Sequence, residues 1–443
     1  MKIAIPNDVQ YIISTLEQHN YEAYVVGGCV RDSLLGKHPD DWDITTSANP
    51  QQVKELFTHT IDTGLQHGTV TVRINHTNYE VTTFRVEEDY IDSRHPSKVY
   101  FTKQIADDLN RRDFTINAMA YNPKSGLVDL YNGQQDLQNH IIRCVGNPHE
   151  RFTEDALRIL RALRFSAQLN FDIDTNTLQA IRDCAPLLLN ISAERIHTEF
   201  TKLLISNHPE KIEDAYTSGV TKIILPEFDL MMSTTQNNPH HCYSVGKHTI
   251  ESLKHIPKDP ILRYSMLFHD LGKPVCKTTD TNGIDHFRNH QLESVKIATN
   301  IMKRWKFDNH SISLIKRYVE HHDYRFHTTE KSIRKAIAKI GVDLFPNFFY
   351  IKKADLAAQS NYQKEEKLNT LHLVESIYTH IINNNQCLST KDLAINGKHL
   401  LDIGIPSGPA IGNTLNTLLE LVLDDPSLNT VESLILYCKK HIL

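Results

Sequence analysis

A chain of 443 residues with a formal net charge of −5 and 40% hydrophobic residues is long enough for two or more domains with substantial cores. Its composition excludes recognition of a polyanion by bulk basicity and leaves that task to a local stripe. The seven cysteines, at 29, 144, 184, 242, 276, 387 and 438, contain no C-x-x-C, which favours reduced thiols over a disulfide framework or thiolate zinc site. No apolar run reaches the length of a membrane span and no signal core opens the chain, so a soluble cytoplasmic protein with no membrane partner is expected.

In chain order, Asp8 to His19 reads as a helix and Tyr24-Val25-Val26 as the start of a strand. Gly27-Gly28 then lets main-chain N–H groups approach phosphate oxygens closely, and Arg31 offers a guanidinium of bidentate geometry to a triphosphate. In Asp40-Asp41-Trp42-Asp43, a strand would turn Asp41 and Asp43 to one face, Trp42 to the core, and leave Asp40 in the turn after Pro39. Two converging carboxylates suit Mg²⁺, because nucleotidyl transfer uses hard cations that bridge an attacking hydroxyl and a triphosphate. "GTVTVRI" and "YEVTTFRV" predict two paired strands around a Thr77-Asn78 turn. Glu80, on the second of these, would bring a third carboxylate to assist deprotonation.

From about Glu150 the pattern becomes helical. Leu157, Leu160, Ala162 and Leu163 mark a helix over 151–169. A polar break at 233–241 separates two helical regions, and a second polar stretch near 360–370 introduces a C-terminal helical portion. The expected organisation is an α/β head over 1–145, a helical neck over 146–235, a third region over 236–360 and a helical tail over 361–443.

"VGGCVRDSLLG" followed by "DDWDITTSA" resembles the active-site signature of class II tRNA nucleotidyltransferases, the CCA-adding enzymes and their poly(A) polymerase relatives. "DLNRRDFTINAMAYNP", "RFTEDALRILRALRFSAQL" and "SAERIHTEFTKLL" continue the resemblance in order. It implies a polymerase-β-like head with Asp41, Asp43 and Glu80 as its catalytic carboxylates. It also implies nucleotide contacts from Gly27, Gly28, Arg31, Asp32, Arg111, Arg112, Asp113 and Asn117, then from Glu154, Asp155, Arg158, Arg161 and Arg164. Asp155 and Arg158, three apart, would share a helix face. Their carboxylate and guanidinium match the amine and ring acceptors of cytosine or adenine, while the resemblance makes Glu154 the group that orients Arg158. The implied activity is addition of CCA to tRNA from CTP and ATP. The alternatives are CC-only or A-only addition, or poly(A) synthesis. "VEEDYIDSRHPSKVYF" (86–101) resembles the flexible loop of full CCA-adding enzymes.

The histidine-rich stretches "HTIESLKHIPKDPILRYSMLFHDLGKP", "HFRNHQLES" and "YVEHHDYRF", with "KKADLAAQS", resemble the HD superfamily of metal-dependent phosphohydrolases. That resemblance implies an HD domain holding a divalent metal of open identity through His248, His269, Asp270 and Asp355. His290 and His322 would hold a second ion, with His321 as a substitute for His322; His286 also lies in the pattern. The corresponding rival function is an HD phosphohydrolase with an inactive, RNA-binding head. Residues 311–341, with seven Lys/Arg against three Asp/Glu and Tyr318, Tyr324 and Phe326 interleaved, are a candidate phosphate track for tRNA. Ser407-Gly408-Pro409 reads as a helix-entry turn.

Overall fold

The first helix, α1 (Asn7–Gln18), buries Val9, Ile12, Ile13 and Leu16, the i, i+3, i+4, i+7 stripe of an amphipathic helix. It packs on a mixed sheet. The computed structural model describes residues 2–90 and 96–443, and two compact units, Met1–Pro226 and Glu227–Leu443, divide it.

In the first unit, β1 (Ala23–Val26) leads through Gly27 into α2 (Gly28–Leu34), and β2 (Ile44–Thr46) follows. Next come α3 (Pro50–Leu56), β3 (Thr60–Gly64), β4 (Thr69–Ile74) and β5 (Thr77–Thr83), then a separate hairpin of β6 (Arg85–Tyr90) and β7 (Pro96–Phe101). Residues 91–95 of the 86–101 segment lie outside the described residues. After α4 (Ile105–Asn110), strands β8 (Met119–Asn122) and β9 (Gly126–Asp129) complete a seven-stranded sheet of order β3-β4-β5-β2-β1-β8-β9. The β2–β5 pair is parallel, with Ile44 opposite Val81.

The hairpin between β4 and β5 differs from expectation. Its turn is Asn75-His76, both with positive φ (48° and 66°), while Thr77 and Asn78 are already paired with Ile74 and Arg73. A two-residue hairpin loop matches the strand twist only with left-handed residues, and Asn is among the residues that tolerate that region.

Helix α5 (Gly133–Gln138) precedes the second correction. The expected helix over 151–169 is two helices, α6 (Pro148–Glu154) and α7 (Leu157–Leu169), separated at Asp155, whose backbone is extended (φ −141°, ψ 103°). The Asp155 side chain accepts from Leu157 N–H at 3.0 Å, so this short polar residue caps the new helix in preference to continuing the old one. Asp155 and Arg158 therefore do not share a helix face. Beyond α8 (Thr175–Cys184), α9 (Ala193–Leu204) packs along α7.

The second unit is helical apart from two short strands that pair as Thr278–Thr279 with Asp285–His286. Side-chain caps start its helices: Ser244 for Val245–Leu253, Asp259 for Pro260–Phe268, Asp308 for Asn309–His321 and Thr329 for Glu330–Ile340. The break near 233–241 stands between Pro226–Ser233 and Val245–Leu253, but most of 360–370 is helix, because Lys364–Asn383 begins inside it. Leu400, Leu418, Val422, Leu434 and Cys438 form the core near the C-terminal end. Gly408, with φ 102°, caps the helix Pro409–Asp424. All seven cysteines are free, and no helix among the described residues is long and apolar enough to cross a membrane.

Candidate active site and histidine cluster

Asp41 and Asp43 do not lie within a strand; they form the extended lead-in to β2. The alternation nevertheless holds, with Asp41 and Asp43 exposed while Trp42 and Ile44 are buried. Asp40 is exposed in the preceding turn. The carbonyl of Asp43 accepts from Val26 N–H at 3.0 Å, which pins this lead-in to the end of β1. Continuing the β2–β5 register by one residue sets Asp43 opposite Glu80. Partial burial raises the carboxyls of both Asp43 and Glu80. Asp41 raises each further, Asp43 also raises Glu80, and Arg112 acts against the rise at Asp43. Three carboxylates that repel one another at a solvent-reaching sheet end are a donor set fitted to hard divalent cations.

Gly27 adopts φ 80° and ψ −127°, and a Cβ there would stand 3.0 Å from the Arg112 guanidinium. Its N–H donates to Met119 O on β8 at 3.1 Å, so the turn is tied across the sheet. Arg31 has three of its five N–H groups engaged within the protein. Its Nε and one terminal nitrogen donate to the two oxygens of Asp32, both at 2.9 Å, and the other terminal nitrogen donates to Asn117 Oδ1 at 2.7 Å. Asp32 thus orients Arg31 and has both oxygens engaged.

Asp108 is fully buried and holds Arg111 at 2.8 Å and Arg112 at 3.2 Å, one on each oxygen; Thr45 Oγ1 on β2 also donates to it at 3.3 Å. The sequence reading missed this residue. Its signal was an acidic side chain three and four residues before two arginines. Asp113 accepts from Arg161 Nε at 2.7 Å and from Asn117 Nδ2 at 3.3 Å. Burial pushes its carboxyl up, but Arg161 and Arg158 overcome this and hold it at about 2.

On the helical side, Glu154 holds Arg158 at 2.6 Å and Arg158 donates to Arg111 O at 3.0 Å. Asp155 instead meets Arg195 of α9 at 2.9 Å. Arg164 pairs with Glu199 of α9 at 3.1 Å, and burial lowers its pKa to about 10. The structure therefore brings the glycine turn and Arg112 to the carboxylates and packs α7 against the 111–113 segment behind them.

In the second unit, His248, His269 and Asp270 form one potential metal-binding group, and Asp270, His290 and His322 another, all buried. Each imidazole has its Nδ1 against a main-chain carbonyl: Ala358 O at 3.3 Å, Met266 O at 2.6 Å, Phe287 O at 2.8 Å and Val319 O at 2.7 Å. A carbonyl only accepts, so each Nδ1 donates and Nε2 is the ring nitrogen turned to the interior, where a metal would take it. Asp270 stands between, with Oδ2 at 3.2 Å from His269 Nε2 and Oδ1 at 3.3 Å from His290 Nε2. Asp355 Oδ1 lies 2.9 Å from His248 Nε2. His269 Nε2 and both Asp270 oxygens are buried without a hydrogen bond, although Lys273 Nζ approaches Asp270 at 2.7 Å. Orphaned donors of this kind fit a divalent metal.

His322 enters the cluster; His321 is half-buried and stands outside both groups, and His286 bonds Asp280 at 2.9 Å. His241, absent from the sequence reading, stacks edge-on to His248 at 5.3 Å, and burial drives its pKa to about 3. The cluster opens on a cavity of about 920 Å³ lined also by Lys273, Arg288, Arg325, Lys352 and Lys367. The expected phosphate track over 311–341 fares worse. Tyr318 and Arg334 are buried. Arg334 donates to Leu423 O, Arg317 to Ile340 O, and Lys331 and Lys335 pair with Asp424. Arg334 and Tyr318 serve internal packing, whereas Lys331 and Lys335 form ion pairs at the surface.

A mixed sheet carrying three carboxylates beside a glycine turn, with arginines converging from a following helix, defines a polymerase-β-like nucleotidyltransferase head. A family model described as the poly A polymerase head domain matches residues 23–143. One described as a probable RNA and SrmB-binding site of polymerase A matches 170–232, and one described as a putative tRNA nucleotidyltransferase domain 2 matches 290–437. Among curated relatives, a CCA-adding enzyme of Limosilactobacillus reuteri is 50% identical over 206 residues, 46% of this chain and 51% of that protein. The chain thus spans about half the length of the first relatives it matches. A CCA-adding enzyme of Leuconostoc mesenteroides is 35% identical over 444 residues, covering 98% of this chain and 96% of that protein. The solved Bacillus stearothermophilus CCA-adding enzyme in complex with CTP superposes with a TM-score of 0.72 at 26% identity over 99% of each chain. The chain belongs to the CCA-adding enzyme family.

Proposed function

We propose that this protein adds C, C and A in turn to the 3′ end of tRNA from CTP and ATP. The observation that carries the reading is the set Asp41, Asp43 and Glu80, placed at one sheet end beside Gly27 and the Arg112 guanidinium, in a chain of this family. Mg²⁺ bound by these carboxylates supplies charge neutralisation at the triphosphate and lowers the pKa of the attacking hydroxyl. Asp41 and Asp43 hold the ions, and Glu80 accepts the proton of the terminal ribose hydroxyl. The hydroxyl oxygen bonds to the α-phosphorus as the bond to the departing pyrophosphate breaks. Gly27 N–H and Gly28 N–H, with Arg31, Arg111 and Arg112, grip the triphosphate. Asp155 accepts from the base amine, and Arg158, oriented by Glu154, donates to the ring acceptors. The main contribution is positioning. The domain limits 145, 235 and 360, with an HD domain in the third segment, belong to this reading.

The test supplies CTP and ATP, separately and together, to tRNA lacking one, two or three terminal residues. Full restoration needs both nucleotides. Addition stopping at CC, only a terminal A, or an adenosine tail would replace the reading by a CC-adding, A-adding or poly(A)-synthesising activity. Incorporation of CTP by Asp41→Ala would overturn the mechanism.

The four imidazoles with tied Nδ1 and convergent Nε2 favour a second activity in the same chain, metal-dependent hydrolysis of a phosphate ester or 2′,3′-cyclic phosphate. Release of phosphate from p-nitrophenyl phosphate, or opening of a 2′,3′-cyclic nucleotide, with Mn²⁺, Ni²⁺ or Mg²⁺ checks it. Loss of that activity in Asp270→Asn with CCA addition intact is the expected result, and absence of any hydrolysis with every metal counts against it.

A further inference from the structure

Around Phe165, three guanidiniums crowd one buried ring. The ring centroid is 5.1 Å from the guanidinium carbon of Arg31, 5.4 Å from that of Arg161 and 4.2 Å from that of Arg164. Phe165 is 6% exposed, and Phe114 supports it edge-on at 5.8 Å. The three arginines come from two distant segments, α2 and α7, and each has its own carboxylate: Asp32, Asp113 and Glu199 respectively. Asn117 joins two of these pairs, accepting from Arg31 at 2.7 Å and donating to Asp113 at 3.3 Å. The chain of contacts Arg31–Asn117–Asp113–Arg161 is polar throughout, and Phe165 closes it into a ring by facing both end guanidiniums.

Three like charges so close repel one another. The carboxylates cancel charge but consume N–H donors in doing so. An aromatic face attracts a guanidinium through its quadrupole and takes no donor, so N–H groups stay available for an anionic ligand. An aliphatic side chain of similar volume would fill the space without that attraction.

We propose that Phe165 is a positioning residue that holds Arg31, Arg161 and Arg164 as one array and thereby ties the triphosphate end of a bound nucleotide to its base end. This rests on the nucleotidyltransferase reading above. Loss of the ring uncouples α2 from α7, so that a base that pairs poorly is no longer penalised at the phosphates.

Phe165→Leu and Phe165→Met both keep an apolar side chain and remove the aromatic face; the second serves where the first lowers the melting temperature. KM and kcat for CTP and ATP, and the ratio of CTP to UTP incorporation, are measured on tRNA lacking its terminal residues. The expected result is a KM increase of about ten-fold for both nucleotides, a similar fall in discrimination, and a kcat change below roughly three-fold. Phe165→Tyr, which keeps the aromatic face, restores all three. Wild-type KM and discrimination in the Leu and Met variants overturn the proposal, as does a Tyr variant that behaves like Leu. A wild-type protein that extends no tRNA sinks the reaction reading instead. Calorimetric titration with CTP then still decides the role of Phe165: weaker binding by the Leu and Met variants, restored by Tyr, supports the array, and unchanged binding ends it.

Discussion

Asp113 ties part of the first unit's acid stability to one residue. Its folded pKa of about 2 lies below the ordinary carboxylate value because Arg161 and Arg158 outweigh burial. A depressed carboxyl stabilises the fold above its unfolded pKa, and that contribution disappears as pH falls from roughly 4 to about 2, an effect on the order of 2 kcal/mol. Arg161→Met is expected to flatten this acid limb, as read from melting temperatures at pH 2 to 5; an unchanged limb would assign the shift elsewhere. Asp108→Asn strips charge from the buried partner of Arg111 and Arg112 and should cost about 3 kcal/mol or more, by denaturant titration. At the carboxylates, Asp40→Ala should leave CTP incorporation close to wild type, whereas Asp41→Ala or Asp43→Ala should lose roughly 10²-fold or more. The alternating exposure of Asp41, Trp42 and Asp43 was legible because the period of two survives in the lead-in to β2. Asp108 was not, because its importance lies in burial, which a run of polar letters conceals.

Element boundaries show the same division between pattern and chemistry. The β4–β5 hairpin was evident from alternating Val and Thr, but its turn was misplaced by two residues. Asn75-His76 carries the left-handed conformation, and histidine is an unusual host for it. His76→Gly should therefore stabilise the protein by up to about 1 kcal/mol, seen as a raised urea midpoint with unchanged slope. A lower midpoint would mean that the imidazole makes a compensating contact. The break at Asp155 was hidden for a related reason. Leucine spacing begins only at Leu157, so residues 151–156 carry no periodic signal of a boundary, and the local competition of the Asp155 side chain for the next helix's N–H sets it. The polar 360–370 stretch was legible as the entry to a helical portion: its Lys and Glu are good helix formers, and Lys364–Asn383 starts within it.

At the scale of the whole molecule, two compact units carry two unrelated sets of carboxylate chemistry, one open to solvent and one buried. Both sets were readable as ordered motifs, whereas composition alone did not separate the buried Tyr318 and Arg334 of the basic tract at 311–341 from its surface lysines. A buried cluster with orphaned donors should bind metal strongly enough to stabilise the unit that holds it. Adding Mn²⁺ to the metal-free protein is expected to raise a calorimetric transition by an amount equivalent to about 2.7 kcal/mol at a hundred-fold excess over Kd. Asp270→Asn should abolish that response, and chelation should reverse it in the wild type. A response that persists in the variant would place the metal elsewhere.

The extended residue between α6 and α7 has one more consequence. Both of its side-chain oxygens are engaged, by Leu157 N–H and by Arg195, while Glu154 on one side of the joint holds Arg158 on the other. A corner braced in this way fixes the direction in which α7 sets out, and with it the positions from which Arg158 and Arg161 reach the 111–113 segment.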